Sequence, residues 1–291
     1  MELSISLNYI TPRPNGKSRL ISESASICRG AGFKYVDYTS NLEADDWEKV
    51  ASSDREALDK AGMSVEQTHA PFNRYCKYDD DAFPIYFKRA FEASKILGAK
   101  YIVVHADEYR TKGEYDAQKI ADFTYEYLAP CVEYAEKNGL TVAVENVFED
   151  ESRRWPQVDG KSRFTSRIEE LKGIIERFGT PSVGCCWDFG HAKCAFGKDG
   201  MARAMKEVGK YIVCTHVHDN YYEKDLHLVP FLGDTDWKEN MESLKSFGYG
   251  GKLSFEFAYG AVPDGVIDAW AKYVYATGER LSKFFDGAGS V

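Results

Sequence analysis

Two periodicities take turns along this chain. Short runs rich in β-branched, aromatic and other apolar residues are separated by longer stretches with helical spacing. The runs LSISLNY (3–9), FKYVDYT (33–39), VEQTHAP (65–71), KYIVVHAD (100–107), LTVAVENV (140–147), SVGCCWDF (182–189), YIVCTHVHD (211–219) and KLSFEFAY (252–259) predict eight strands. Between and after them, DAFPIYFKRAFEASKILGA, DAQKIADFTYEYLAPCVEYAEKNG, SRIEELKGIIERFG and DGVIDAWAKYVYATGERLSKFF predict helices. Two of these end on glycine, at Gly139 and Gly179, as helix stops do. Strand–helix alternation implies βαβ units and a parallel sheet. Eight such units in 291 residues fit a single-domain α/β protein, a (β/α)8 TIM barrel spanning residues 1–291. A doubly wound open sheet fits less well, because no GxGxxG follows the first strand. The stretch FEDESRRWPQVDGKSRFT after the fifth strand exceeds a plain βα loop and is expected to shape a site.

The polar residues break this pattern at one place. His69, His105, His216 and His218 lie at or near the C-terminal ends of predicted strands, and His191 and His227 lie just beyond two of them. Glu145, Asp188 and Glu256 end the fifth, sixth and eighth strands. In a barrel these ends converge on one mouth. A single histidine or acid there is more often a structural group than a ligand. Three inward acids with several histidines would repel and desolvate one another without a cation. The set therefore predicts a bound divalent metal ion, Mn²⁺, Zn²⁺ or Mg²⁺. His216 and His218 are two apart on one strand, so both can face the mouth, and alternation does not choose between them. Cys185, Cys186 and Cys194 lack metal-site spacing and are expected to pack. Arg13, Lys17 and Arg19 in TPRPNGKSR, and Arg153, Arg154 and Lys193, are expected to be solvated. FNRYCKYDDD after the third strand mixes aromatics and charge as a lid or an ordinary loop would. Phe72, Trp155 and Trp187 are candidates for an apolar wall against a substrate.

Charge narrows the partners. With 37 basic and 46 acidic residues the net charge is −9, which makes nucleic acid an improbable partner. MELSISLNYI has no basic n-region or long apolar h-region, and no stretch approaches 18 apolar residues, so neither a signal peptide nor a membrane partner is expected. Seven cysteines without CxxC spacing point to reduced thiols and a cytoplasmic setting. A small-molecule substrate is the expected partner, with a homo-oligomer left open.

The ordered set THAP (His69), VVH (His105), VENV (Glu145), WDFGHA (Asp188, His191), HVHDN (His216), DLHLVPFLGDTDW (Asp225, His227) and FEF (Glu256) resembles the xylose-isomerase-like TIM barrels, nearly end to end. This superfamily holds sugar and sugar phosphate isomerases and epimerases and the endonuclease IV type of abasic-site nuclease. The resemblance to the epimerase branch implies one metal ion held by Glu145, Asp188, His216 and Glu256. The family's H-x-x-D pattern, with Asp219 as its acid, selects His216 over His218. It also implies Glu145 and Glu256 as the catalytic acid–base pair, moving a proton next to a carbonyl through an enediolate. His69, His105, His191, His227 and Trp187 are then expected to meet a sugar or sugar phosphate. The run from His227 to Trp237 is similar to a sugar-isomerase loop, with Phe231 and Asp234 at positions often small or glycine. The nuclease branch binds three zinc ions, and His69, His105, Glu145, Asp188, His191, His216, Asp225, His227 and Glu256 match that longer set too. An endonuclease IV-like nuclease and a related sugar or inositol dehydratase are the alternatives.

Overall fold

The computed structural model describes residues 1–72, 81–108, 115–148, 163–221, 224–257 and 262–288. Eight parallel strands form its centre: β1 (Leu3–Ser6), β2 (Tyr35–Asp37), β3 (Ser64–His69), β4 (Tyr101–Val104), β5 (Thr141–Glu145), β6 (Val183–Asp188), β7 (Ile212–His216) and β8 (Leu253–Phe255). They run in the order β7-β6-β5-β4-β3-β2-β1-β8. A bridge between Val217 and Phe255 brings β7 to β8 and closes the ring. The chain is the (β/α)8 barrel that its alternation predicts.

Around the barrel lie α2 (Ile21–Ala31), α3 (Trp47–Lys60), α4 (Ala82–Leu97), α5 (Ala117–Asn138), α6 (Ile168–Phe178), α8 (Met201–Val208), α9 (Trp237–Ser246) and α10 (Asp264–Asp286). Two short helices are extra: α1 (Leu7–Ile10) and α7 (Phe189–Phe196) continue directly from β1 and β6. The first falls mostly in LSISLNY, expected to be strand, and the second begins on the last residue of SVGCCWDF. Leu7 and Ile10 are fully buried, and their spacing of three suits a helical turn rather than an alternating strand. At α7 the cause is Asp188, whose side chain accepts from the His191 amide and caps the new helix.

Alternation along the strands sorts side chains into two layers. Ile102, Val104, Val142, Val144, Val183 and Cys185 pack outward against the helices. Tyr101, Val103, Ala143, Cys186 and Cys214 fill the barrel interior. Counting two residues further along each inward-facing series reaches His105, Glu145, Asp188 and His216. The interior changes from apolar to ionisable in one step, at the C-terminal mouth. Trp187 belongs to the outward series and is fully buried in the layer between barrel and helices. Its assignment to the substrate wall is corrected: its neighbour Asp188 takes the inward direction.

Candidate metal centre

Glu145 ends β5 and is almost wholly buried. Its Oε2 lies 2.9 Å from His105 Nε2 and 3.2 Å from His69 Nε2. Its Oε1 lies 2.8 Å from His216 Nδ1 and 3.5 Å from His191 Nδ1. One carboxylate thus gathers histidines carried by β3, β7, α7 and the residue after β4. Glu256, just beyond β8, reaches the same His216 Nδ1 at 3.3 Å. Asp188 Oδ2 lies 3.8 Å from that atom. Thr165, at φ 74°, donates its hydroxyl to the Glu145 carbonyl, so a left-handed residue braces the end of β5. Asn146 clamps β5 to β6: it donates to the Asp188 carbonyl at 2.9 Å and accepts from the Asp188 amide at 2.7 Å.

The second part of the site comes from the loop after β7. His227 Nε2 meets Asp225 Oδ2 at 3.2 Å. The His227 ring stacks on His218 with centroids 3.8 Å apart and 7° between planes. Both His216 and His218 face the mouth: His216 joins Glu145 and Glu256, while His218 meets Asp188. Asp219 holds the loop in place. Its carboxylate accepts from the amides of Asn220, Phe231 and Thr235 and from the indole of Trp237. Phe72 covers the site on one side, with ring centroids 5.1 Å from His69 and 4.6 Å from His105.

Charge in the site is balanced internally. Burial alone would raise the Glu145 carboxyl, but the His216 charge and bonds from His105, His216 and His69 hold it well below the usual carboxylate range. Burial opposes charge on His216 too, and Glu256, Glu145 and Asp37 outweigh it, raising His216 well above an ordinary histidine. Against the same opposition from burial, the bond to Asp225 lifts His227 to about 9. Burial dominates at His105 and lowers it. Asp188 is lowered despite burial by His191 and His218. The carboxylates favour the charged forms of His69, His216 and His227 and would draw a cation for the same reason.

Four groups of donors among the described residues are close enough to share an ion: Glu145, Asp188, His216 and Glu256; His69, His105 and Glu145; His191, His218, Asp225 and His227; and His105, Asp107 and Glu108. The first joins three carboxylates to one imidazole, a set that suits Mn²⁺, Mg²⁺ or Zn²⁺. His105 Nδ1 and His218 Nδ1 are buried with no hydrogen-bond partner among the described residues. The fourth group already has its cation: Arg163 Nε donates to Asp107 at 2.6 Å.

The structure brings together His69, His105, Glu145, Asp188, His191, His216, His227 and Glu256. It adds residues that sequence reasoning passed over. Asp37 ends β2 and sits 3.3 Å from His216 Nε2, with Gln67 donating to it at 3.1 Å. An acid at the end of an inward series was the available signal. Lys193 is corrected from solvated to buried: its Nζ donates to the Asn220 carbonyl at 2.7 Å and pairs with Asp234. Arg19 is likewise buried, holding the carbonyls of Ile10, Pro12 and Val262, and Arg13 and Arg19 both pair with Asp264. Arg153, Arg154, Trp155 and most of FNRYCKYDDD lie outside the described residues. No helix among the described residues is long and apolar enough to cross a membrane.

A closed (β/α)8 barrel with acids and histidines gathered at its C-terminal mouth defines the class of protein. Within it, this chain belongs to the xylose isomerase-like TIM barrel family, whose match runs over residues 25–273. An uncharacterised protein of Methanocaldococcus jannaschii is 28% identical over 167 residues, 57% of this chain and 54% of that one. The chain spans about half the length of the curated relatives it matches. Among solved structures, D-psicose 3-epimerase in the presence of D-fructose superposes with a TM-score of 0.74 at 15% identity, covering 99% of this chain and 100% of that one. The IolI protein with a binding zinc atom gives 0.68 at 17% identity, with full coverage of both chains. These likenesses establish the fold.

Proposed function

We propose that this protein is a divalent-metal-dependent sugar or sugar phosphate isomerase or epimerase. One observation carries the reading: Glu145 and Glu256, from β5 and the end of β8, converge on one nitrogen of His216 with Asp188 beside them. Glu145, Asp188, His216 and Glu256 would hold the ion. When bound, it supplies Lewis acidity that lowers the cost of negative charge on a carbonyl oxygen. Glu256 is the more exposed of the two glutamates, with 27% of its side chain accessible against 1% for Glu145. Glu256 takes a proton from the carbon beside the carbonyl, and Glu145 serves the other face. His191 and His227 line the mouth and bind hydroxyls; His69 and His105 orient Glu145. Structural neighbours that include a D-tagatose 3-epimerase-like protein and D-psicose 3-epimerase support a sugar substrate.

A second reading, hydrolysis of a phosphodiester by an abasic-site nuclease, is favoured by one specific observation. Two further donor groups, His69/His105/Glu145 and His191/His218/Asp225/His227, flank the first. Elemental analysis with a ketose and aldose panel in ²H₂O separates the readings. One divalent ion per chain and deuterium at the reacting carbon are expected. Three zinc ions with salt-sensitive cleavage of abasic duplex would replace the sugar reading by the nuclease.

A further inference from the structure

We propose that His218 is a positioning residue that holds the Asp188 carboxylate in its metal-binding orientation, and that residue 190 is glycine to admit its ring. This rests on the reading of Asp188 as a metal ligand.

His218 is fully buried, and its Nε2 straddles both oxygens of Asp188, 3.1 Å from Oδ1 and 3.2 Å from Oδ2. An ionised carboxylate only accepts, so Nε2 carries the hydrogen and donates. The backbone under this ring is fixed on both sides. The Val217 amide donates to the Ser254 carbonyl, and the Asp219 amide donates to the Leu228 carbonyl. The ring face is fixed by its stack on His227. Asp188 therefore meets a donor that cannot move away. Its Oδ1 also accepts from the His191 amide at 2.6 Å, and these two donors set the direction of the carboxylate together. Partners of this kind are worth a factor of roughly 10–100 in metal affinity.

Gly190 supplies the independent observation. A Cβ there would lie 1.8 Å from His218 Cε1 and 2.2 Å from Nδ1. Gly190 sits in the first turn of α7 and is not among the glycines with positive φ. An alanine would suit that helix better than glycine does. The ring of His218 is what excludes a methyl group. The glycine of WDFGHA and the second histidine of HVHDN are thus two halves of one contact.

The test titrates Mn²⁺ into full-length apoprotein against a chromophoric chelator. Wild type is compared with His218→Ala, His218→Gln, Gly190→Ala and the double variant Gly190→Ala/His218→Ala, with a thermal melt of each. His218→Ala is expected to bind roughly 10–100-fold more weakly at unchanged stoichiometry. His218→Gln, which keeps an N–H donor, should recover most of that loss. Gly190→Ala should weaken binding and lower the melting midpoint in wild type, and do neither on top of His218→Ala. Equal affinity of wild type and His218→Ala would overturn the positioning role, as would a Gly190→Ala penalty that persists in the double variant. Loss of a whole equivalent of metal would make His218 a ligand and also overturn it. Wild type that takes up no Mn²⁺ sinks the functional reading and the role of His218 with it; wild-type binding that no variant alters sinks only the latter.

Discussion

The two halves of the site are built by different means. Glu145, Asp188 and His216 stand on strand ends, and Glu256 stands one residue past β8. Their directions follow from alternation, and the hydrogen bonds of the closed sheet hold the backbone beneath them. Asp225 and His227 stand on a loop outside the eight strands, tied to the end of β7 by a single antiparallel bridge between Asp219 and Leu228. That loop takes its shape from polar side chains: the Asp219 carboxylate with four donors, Asn220 Oδ1 accepting from Leu226 and His227 amides, and Lys193 on the Asn220 carbonyl. It also carries two non-glycine residues at positive φ, His227 at 47° and Phe231 at 73°. Such conformations persist only where the surroundings over-determine them. The strand half is a consequence of the fold, whereas the loop half has to be held.

The largest expected effects lie in the strand half. Glu145→Gln and Glu256→Gln keep shape and one ligating oxygen but remove the base. Each should lower kcat by about 10²–10⁴ with excess metal present, measured by steady-state turnover. Under the proposed two-base mechanism, solvent deuterium exchange should survive without net epimerisation in one of the variants. Near wild-type turnover in both metal-saturated proteins would remove the glutamates as bases.

The loop half should respond differently. Asp219→Ala leaves the Phe231 amide and the Trp237 indole without their acceptor, both within the carboxylate's reach at 2.9 Å. Unsatisfied buried donors cost about 1–3 kcal/mol each. Denaturant unfolding should show a loss of roughly 2–4 kcal/mol. The Glu145/Asp188/His216/Glu256 group should still take up its ion, while substrate KM rises more than kcat falls. Complete loss of metal at saturating concentration would show that the two halves are not separable.

The same division explains what was legible in the sequence. The barrel was readable because eight runs alternate with helical stretches, and the strand-borne candidate residues because each lies at the end of such a run. Strand ends were less readable: LSISLNY contains a helical turn from Leu7, and the short helix that Asp188 caps directly after β6 was not anticipated. Asp37 was missed because a lone acid at the end of FKYVDYT has no motif around it. Lys193 was misjudged because a lysine's burial depends on partners 27 and 41 residues away, Asn220 and Asp234. His218 was one of two histidines that alternation allowed to face the mouth, but its contact with Gly190 of α7 is displayed only by the packing.

The smallest expected effect tests the boundary between the inward and outward series of β6. Trp187 lies between Cys186 and Asp188, both turned inward, yet its own side chain is fully buried on the helix side. Its indole Nε1 has no hydrogen-bond partner among the described residues. Trp187→Phe removes that unsatisfied donor, which favours the variant, and leaves a small void, which opposes it. The two terms are of similar size, so stability should change by no more than about 1–2 kcal/mol. Because the ring does not reach the mouth, kcat and KM should stay within twofold of wild type. A KM that rose severalfold with stability intact would place Trp187 against the substrate and reverse the register read here for β6. The inward direction of Asp188 would then fall with it, since neighbouring residues of one strand cannot face the same side.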